Sequence, residues 1–232
     1  MSSSIAERLN NVRRRIQNST NRAGRPEGAV TLLAVSKKQP VEALLEAYAA
    51  GVRDFGESYV QEAVAKQEAL SQLSTLPDDI CWHFIGPIQS NKTKWVASQF
   101  DWVHSVDRLK IAERLSEQRP PELPPLNICI QINIDAEDSK SGIELAQLPE
   151  LAQQISALPR LKLRGLMAIP KADATEAERR QTFAALRAAW LELKSQHEHI
   201  DTLSIGMSED LELAIEYGST IVRVGTALFG AR

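Results

Sequence analysis

The chain has 232 residues, 43% of them hydrophobic and 25% charged, and a formal net charge of -3. That length can bury a substantial core, and the charge balance excludes a global attraction to nucleic acid or to anionic membranes. No apolar run approaches the roughly 20 residues a membrane span needs, and the N-terminus lacks the apolar stretch of a secretory signal, so a cytoplasmic protein is expected.

The first predicted element is an amphipathic helix in "MSSSIAERLNNVRRRIQ", with Ile5, Leu9, Val12 and Ile16 on one face. Its basic stretch, residues 12–17, reads as a solvated face. Eight strand-like runs then follow in order: 31–37, 52–57, 82–86, 102–107, 127–133, 163–169, 202–208 and 220–226. Segments with apolar residues at helical spacing separate them, and Gly51 and Gly218 sit where helix C-caps fall. Cys81 and Cys129 lie inside apolar runs and read as two buried thiols, with neither a disulfide nor a metal site expected. Eight strands alternating with helices predict a single-domain (β/α)8 TIM barrel over residues 1–232, preceded by an extra N-terminal helix. A doubly wound open sheet is the alternative pattern. The Pro-rich "QRPPELPPLN" (118–127) is a loop.

In a barrel, chemistry gathers at the C-terminal ends of the strands. That rule selects Lys37, Glu57, Ser58, Gly86, Asp107, Asn133, Met167, Ser204 to Ser208, Gly225 and Thr226. Lys37 ends an apolar strand, "TLLAVSK". Beside apolar walls an ammonium group is desolvated and its amine freed to attack a carbonyl, whereas at a wet rim it is merely solvated. The late turns "SIGMSEDLE" and "RVGTALFGAR" each bring a glycine and a hydroxyl residue to the start of a helical pattern. Such turns suit a phosphate, although Ser208 before Glu209 and Asp210 also reads as a plain helix cap. Arg223, two residues before Gly225, needs a partner if it faces the barrel interior and only a surface carboxylate if it faces outward. An amine, a phosphate cradle and an interior arginine together describe a site for pyridoxal 5'-phosphate (PLP), with a Schiff base on Lys37.

The ordered motifs "LLAVSK", "FGESYVQE", "WHFIGPIQSNK", "SVD", "INID", "SKSG", "LRGLMAIP", "LSIGMSEDLELAI" and "GSTIVRVGTALFGAR" resemble the pyridoxal-phosphate homeostasis proteins from about residue 5 to the C-terminus. The resemblance implies a cytoplasmic protein with the barrel of the N-terminal part of bacterial alanine racemases. It implies that Lys37 carries PLP covalently and that Ser208, the Met207 backbone, Gly225 and Thr226 hold the phosphate, with Ser204 beside them. Arg223 would face the ring nitrogen, His83 and Met167 would line the pocket, and Asn91 and Lys92 would stand at its mouth. Ser58 departs from the pattern, since many members have asparagine after Gly-Glu; its shorter hydroxyl would reach the cofactor through a bridging water.

An arginine at the ring nitrogen can only donate, so it leaves the pyridine unprotonated and a weak electron sink. The related racemases add a tyrosine base from a C-terminal β-domain, and only seven residues follow Gly225 here. Tyr48, Tyr59 and Tyr217 fall in helical segments. The expectation is a monomeric protein that stores or delivers PLP, with PLP-dependent apo-enzymes as its protein partners and no committed reaction of its own. An amino-acid racemase and a Schiff-base aldolase are the competing readings. His104 reads as a core histidine, His197 and His199 as a solvated loop, and the pairs Glu137–Asp138 and Glu209–Asp210 as loop and cap residues.

Overall fold

The computed structural model describes residues 4–73, 79–134 and 141–230. Its strands are β1 (Thr31–Val35), β2 (Asp54–Glu57), β3 (Cys81–Phe84), β4 (Trp102–Val106), β5 (Leu126–Ile132), β6 (Leu161–Ala168), β7 (Thr202–Met207) and β8 (Ile221–Val224). All eight expected strands are present, with ends trimmed or extended by up to two residues. They form one closed barrel in sequence order. β1 pairs in parallel with both β2 and β8, so the open-sheet alternative does not describe the chain. The strand runs are apolar because barrel residues are covered on both sides, by other interior side chains and by the outer helices.

The helices are α1 (Ile5–Arg22), α2 (Val41–Ala49), α3 (Val60–Ser71), α4 (Thr93–Gln99), α5 (Leu109–Gln118), α6 (Leu148–Ser156), α7 (Glu176–Gln196), α8 (Leu211–Glu216) and α9 (Thr226–Phe229). α1 is the extra one. Ser4 and Glu7 close a reciprocal capping box at its start. Ile5, Leu9, Val12 and Ile16 are buried as predicted, in one cluster with Leu44, Leu211, Ile215 and Leu228.

The basic stretch of α1 is exposed at Arg13 and Arg14, as expected of a solvated face, but two of its arginines also hold backbone carbonyls. Arg13 donates to the carbonyls of Ala50 and Gly51, both at 3.0 Å. Arg15 donates to Glu212 at 2.6 and 2.9 Å and to the Ser208 carbonyl at 2.9 Å. One turn earlier in the chain, Arg8 Nε donates to the Leu228 carbonyl at 2.7 Å. Helix ends and turns leave carbonyl oxygens without backbone partners, and guanidinium forks meet them here. The thiols differ slightly too: both cysteines are free, Cys129 is buried and Cys81 only partly so.

Leu9 has no exposed surface. Replacing it with alanine is expected to lower unfolding stability by about 2–5 kcal/mol, read as a lower urea midpoint at unchanged slope. A loss of only a few tenths would mean that α1 is not part of the cooperative fold.

Candidate functional site

The loop after β1 carries Lys37, and the residues on either side of it are anchored. Ser36 is fully buried; its N–H donates to the Gly56 carbonyl at 3.0 Å and its hydroxyl to Glu57 Oε1 at 2.6 Å. Lys38 adopts a left-handed backbone (φ 61°), and its N–H donates to Glu62 Oε1. Lys66 joins the two anchors from α3. Its buried ammonium donates to the Ser36 carbonyl at 2.7 Å, to Glu57 Oε1 at 2.7 Å and to Glu62 Oε1 at 2.6 Å. The sequence signal for Lys66 was available: it sits at helical spacing between Ala63 and Leu70, both buried. A lone lysine on an apolar stripe implies a buried partner, and that partner is Glu57.

Above this loop lies a cavity of about 600 Å³. Of the predicted site residues, Lys37, Ser58, Met207, Ser208, Arg223, Gly225 and Thr226 line it. His83, Met167 and Ser204 do not. His83 and Met167 lie on strands that reach the wall, one inward position deeper than the residues that line the cavity. Side chains alternate across a strand, so the inward residue one step nearer the mouth lies two positions on. Those residues are Ile85 and Ile169, and both line the cavity. On β7 the same step is displaced by an irregular register between Ser204 and Met207, with Gly206 at φ 94°. Asn91 and Lys92 lie on a short 3-10 turn away from the cavity wall.

Arg223 is 4% exposed and faces inward. Among the described residues no carboxylate pairs with it directly; its acceptors are the Ser204 carbonyl at 2.5 Å, the Ser204 hydroxyl at 2.8 Å and the Ala168 carbonyl at 2.8 Å. Burial lowers its pKa to about 10, so it stays a cation at neutral pH. From Ser204 a hydrogen-bonded line crosses the barrel. Ser204 Oγ lies 2.8 Å from His104 Nδ1, His104 Nε2 lies 2.9 Å from His83 Nδ1, and His83 Nε2 lies 3.1 Å from Asp54 Oδ1. Burial, reinforced by His83 and Arg223, holds His104 well below the usual histidine range. His104 is therefore the satisfied core histidine expected. For a pair of neutral rings the Asp54 carboxylate, which can only accept, orients the line, and each ring then carries its proton on Nε2.

The two late turns meet. Ser208 Oγ accepts from the Ala227 N–H at 3.3 Å, joining the turn after β7 to the start of α9. Ser208 is thus not the cap of α8. Asp210 occupies that position, and its carboxylate accepts from the Met207 N–H at 2.7 Å. Across the cavity, Gly86 lies so close to Ser58 that a Cβ would fall 2.2 Å from the Ser58 carbonyl oxygen, so only glycine lets the two loops touch. The tyrosines serve elsewhere. Tyr48 donates to Asp79, Tyr217 packs on Phe183, and Tyr59 is 49% exposed. His197 lies 3.2 Å from the Ser156 hydroxyl in a surface loop, and the pair Glu137–Asp138 falls outside the described residues.

Burial raises the Glu57 pKa above the ordinary carboxylate range, against the opposing pull of Lys66 and Ser36. A carboxyl that is a weaker acid when folded favours folding at low pH, and that contribution is lost as pH rises through its folded pKa. Lys66→Met removes the cation and raises that pKa further. The variant is expected to lose about 3–5 kcal/mol at neutral pH and to recover part of the loss as the solution is acidified, in urea titrations at several pH values. A deficit that does not depend on pH would mean that Glu57 is not the group left exposed to the loss.

The chain matches the family described as "Alanine racemase, N-terminal domain" over residues 8–232. It is 56% identical over 230 residues to a protein of Pseudomonas aeruginosa named pyridoxal phosphate homeostasis protein, covering 99% of this chain and 96% of that one. It superposes on PipY of Synechococcus elongatus PCC7942, solved with PLP bound, with a TM-score of 0.84 and 41% identity, covering 98% of this chain and all of that one. Alanine racemase from Corynebacterium glutamicum shares the fold alone, at 15% identity and a TM-score of 0.72 over 98% of this chain and 61% of that one. A cavity-lining lysine after β1, an arginine on β8 and two joined turns beside them thus stand in a barrel of known lineage: the chain belongs to the alanine racemase N-terminal domain family, and within it to the pyridoxal phosphate homeostasis proteins.

Proposed function

We propose that the cavity binds pyridoxal 5'-phosphate and that the protein stores the cofactor and delivers it to PLP-dependent apo-enzymes, without a committed reaction of its own. The observation that carries this reading is the convergence of Lys37, Arg223 and the joined turns of Ser208 and Thr226 on one cavity of about 600 Å³. The donors suit the group chemically. An amine suits an aldehyde, three hydroxyls and turn N–H groups suit a phosphate, and Val35, Ile85 and Ile169 suit the faces of a planar ring. The names of the relatives point the same way.

In this reading Lys37 would hold the aldehyde end of the cofactor through Nζ. Ser208 and Thr226, with the backbone of Met207 and Gly225, hold the phosphate, and Ser58 contributes a hydroxyl from the opposite wall. Ser204 acts through Arg223, and His83 and Met167 support the wall from a deeper position. When bound, PLP supplies an aldehyde reactive toward amines and a pyridine ring able to accept electrons. Arg223 is a donor that keeps its own proton, so it favours an unprotonated ring nitrogen and weakens that electron uptake. Holding is therefore favoured over turnover. Two free cysteines fit a reducing compartment, and we assign the role to the cytoplasm. No helix among the described residues is long and apolar enough to cross a membrane.

The test is the visible absorption of the protein mixed with PLP, before and after borohydride, followed by peptide mass mapping. A band fixed by reduction, an adduct on Lys37 and loss of both in Lys37→Ala are expected. Ser208→Ala and Thr226→Val should each weaken PLP binding about tenfold or more, as loss of a hydrogen bond to a charged group does. A band that survives Lys37→Ala, or an adduct on another lysine, would overturn the assignment.

A further inference from the structure

The far end of the barrel from the cavity carries a second cluster of chemically active side chains. Register places Asp54 of β2 directly beside Cys81 of β3, and His83 follows Cys81 by two positions on the same face. His83 Nε2 lies 3.1 Å from Asp54 Oδ1 and 3.3 Å from Cys81 Sγ, and all three donor atoms fall within 4.8 Å of one another. We propose that Asp54, Cys81 and His83 form a site for a divalent transition metal of the zinc class, with a solvent molecule as the fourth ligand.

The geometry fits such an ion. With metal–ligand bonds of about 2.0–2.3 Å, a tetrahedron has edges of roughly 3.3–3.6 Å, so the two separations from His83 need to open by only a few tenths of an ångström, and the Asp54–Cys81 pair stays within 4.8 Å. The donor set selects the metal class. One sulfur, one imidazole nitrogen and one carboxylate suit zinc or cobalt, whereas magnesium and calcium take oxygen ligands. Charge also balances, since a carboxylate, a thiolate and a neutral imidazole sum to the opposite of a divalent ion. The site is supported and reachable. His83 is stacked on Trp102 at 5.5 Å and 9°, which fixes its ring plane. The Asp54 side chain is 31% exposed and opens onto a surface depression lined also by Thr31 and Gly51.

The hydrogen-bonded line behind His83 can accommodate the ion. Coordination needs the Nε2 lone pair, so the His83 proton moves to Nδ1 and donates to His104 Nε2. The His104 proton then moves to Nδ1 and donates to Ser204 Oγ, which still accepts from Arg223 while its own hydrogen rotates away from His104. No proton is gained or lost along that line. The one proton released to solvent is that of the Cys81 thiol, whose ionisation burial otherwise opposes.

The test is titration of the full-length, chelator-treated protein with Co²⁺ alone, followed by displacement with Zn²⁺. The expected result is one Co²⁺ per chain, with a near-ultraviolet sulfur-to-cobalt charge-transfer band and the visible bands of a tetrahedral ion. Cys81→Ser should abolish the sulfur band, Asp54→Asn should weaken binding at least tenfold, and Cys129→Ser should leave both unchanged. X-ray absorption of the zinc-loaded wild-type protein gives a reading that needs no variant: one sulfur neighbour at about 2.3 Å. Saturation with cobalt without a sulfur band, a zinc shell without sulfur, or a sulfur band that persists in Cys81→Ser would each overturn the proposal. No PLP is needed, so the outcome is separate from that of the cofactor test.

Discussion

The pairing of β1 with β8 is the constraint on which the rest of the molecule depends. Leu33 stands opposite Arg223 and Ala34 opposite Val224, so the first and last strands end side by side. Without that ladder Lys37 and Arg223 would lie at opposite edges of a sheet, and no cavity would join them. Barrel closure also removes both sheet edges, so no row of backbone donors and acceptors is left unpaired. α1 reinforces the same region from outside. Its apolar stripe packs beside α8 and α9, while Arg8 and Arg15 hold carbonyls of the segments that follow β8 and β7. The ion pair between Arg15 and Glu212 is over a third exposed and contributes little energy by itself. Its effect is to position the turn.

Two buried cations illustrate opposite solutions to one electrostatic problem. Lys66 is compensated, because two carboxylates and a carbonyl take all three of its ammonium protons. That makes it a structural clamp on the loop carrying Lys37. Arg223 is held by a hydroxyl and two carbonyls, with no carboxylate among the described residues in direct contact. Dipolar acceptors satisfy its donors without cancelling its charge. The guanidinium charge therefore stands at the cavity wall, offset only through space by Asp210, which lines the same cavity. The lowered pKa of Arg223 is the measure of that desolvation, and it leaves the cation intact at neutral pH.

The interior below the cavity is polar in a way that strand patterning conceals. His83 and His104 occupy strand positions that read as core, and each is satisfied only because a partner from another strand lies within reach. A line from Arg223 to Asp54 gives the barrel a directional thread of hydrogen bonds. Cooperative polarisation strengthens such lines and gives their side chains a single arrangement.

Much of this protein is determined locally. Strand and helix order, the amphipathic face of α1 and the position of Lys37 at a strand end all follow from side-chain periodicity, and periodicity is a property of neighbours in sequence. The two hydroxyl-bearing turns were legible for the same reason. Which inward residue reaches the cavity was not, since depth depends on strand stagger and register; the wall is made by Ile85 and Ile169 instead of His83 and Met167. Nor was the use of the α1 arginines legible, because a basic stripe looks alike in solvent and against carbonyls. The partnership of Lys66 with Glu57, and the trio of Asp54, Cys81 and His83, arise only when β2, β3 and α3 come together. Sequence by itself determined the elements and the chemical groups available; tertiary structure alone decided which groups meet, because contact between strands depends on register and closure, which no local pattern encodes.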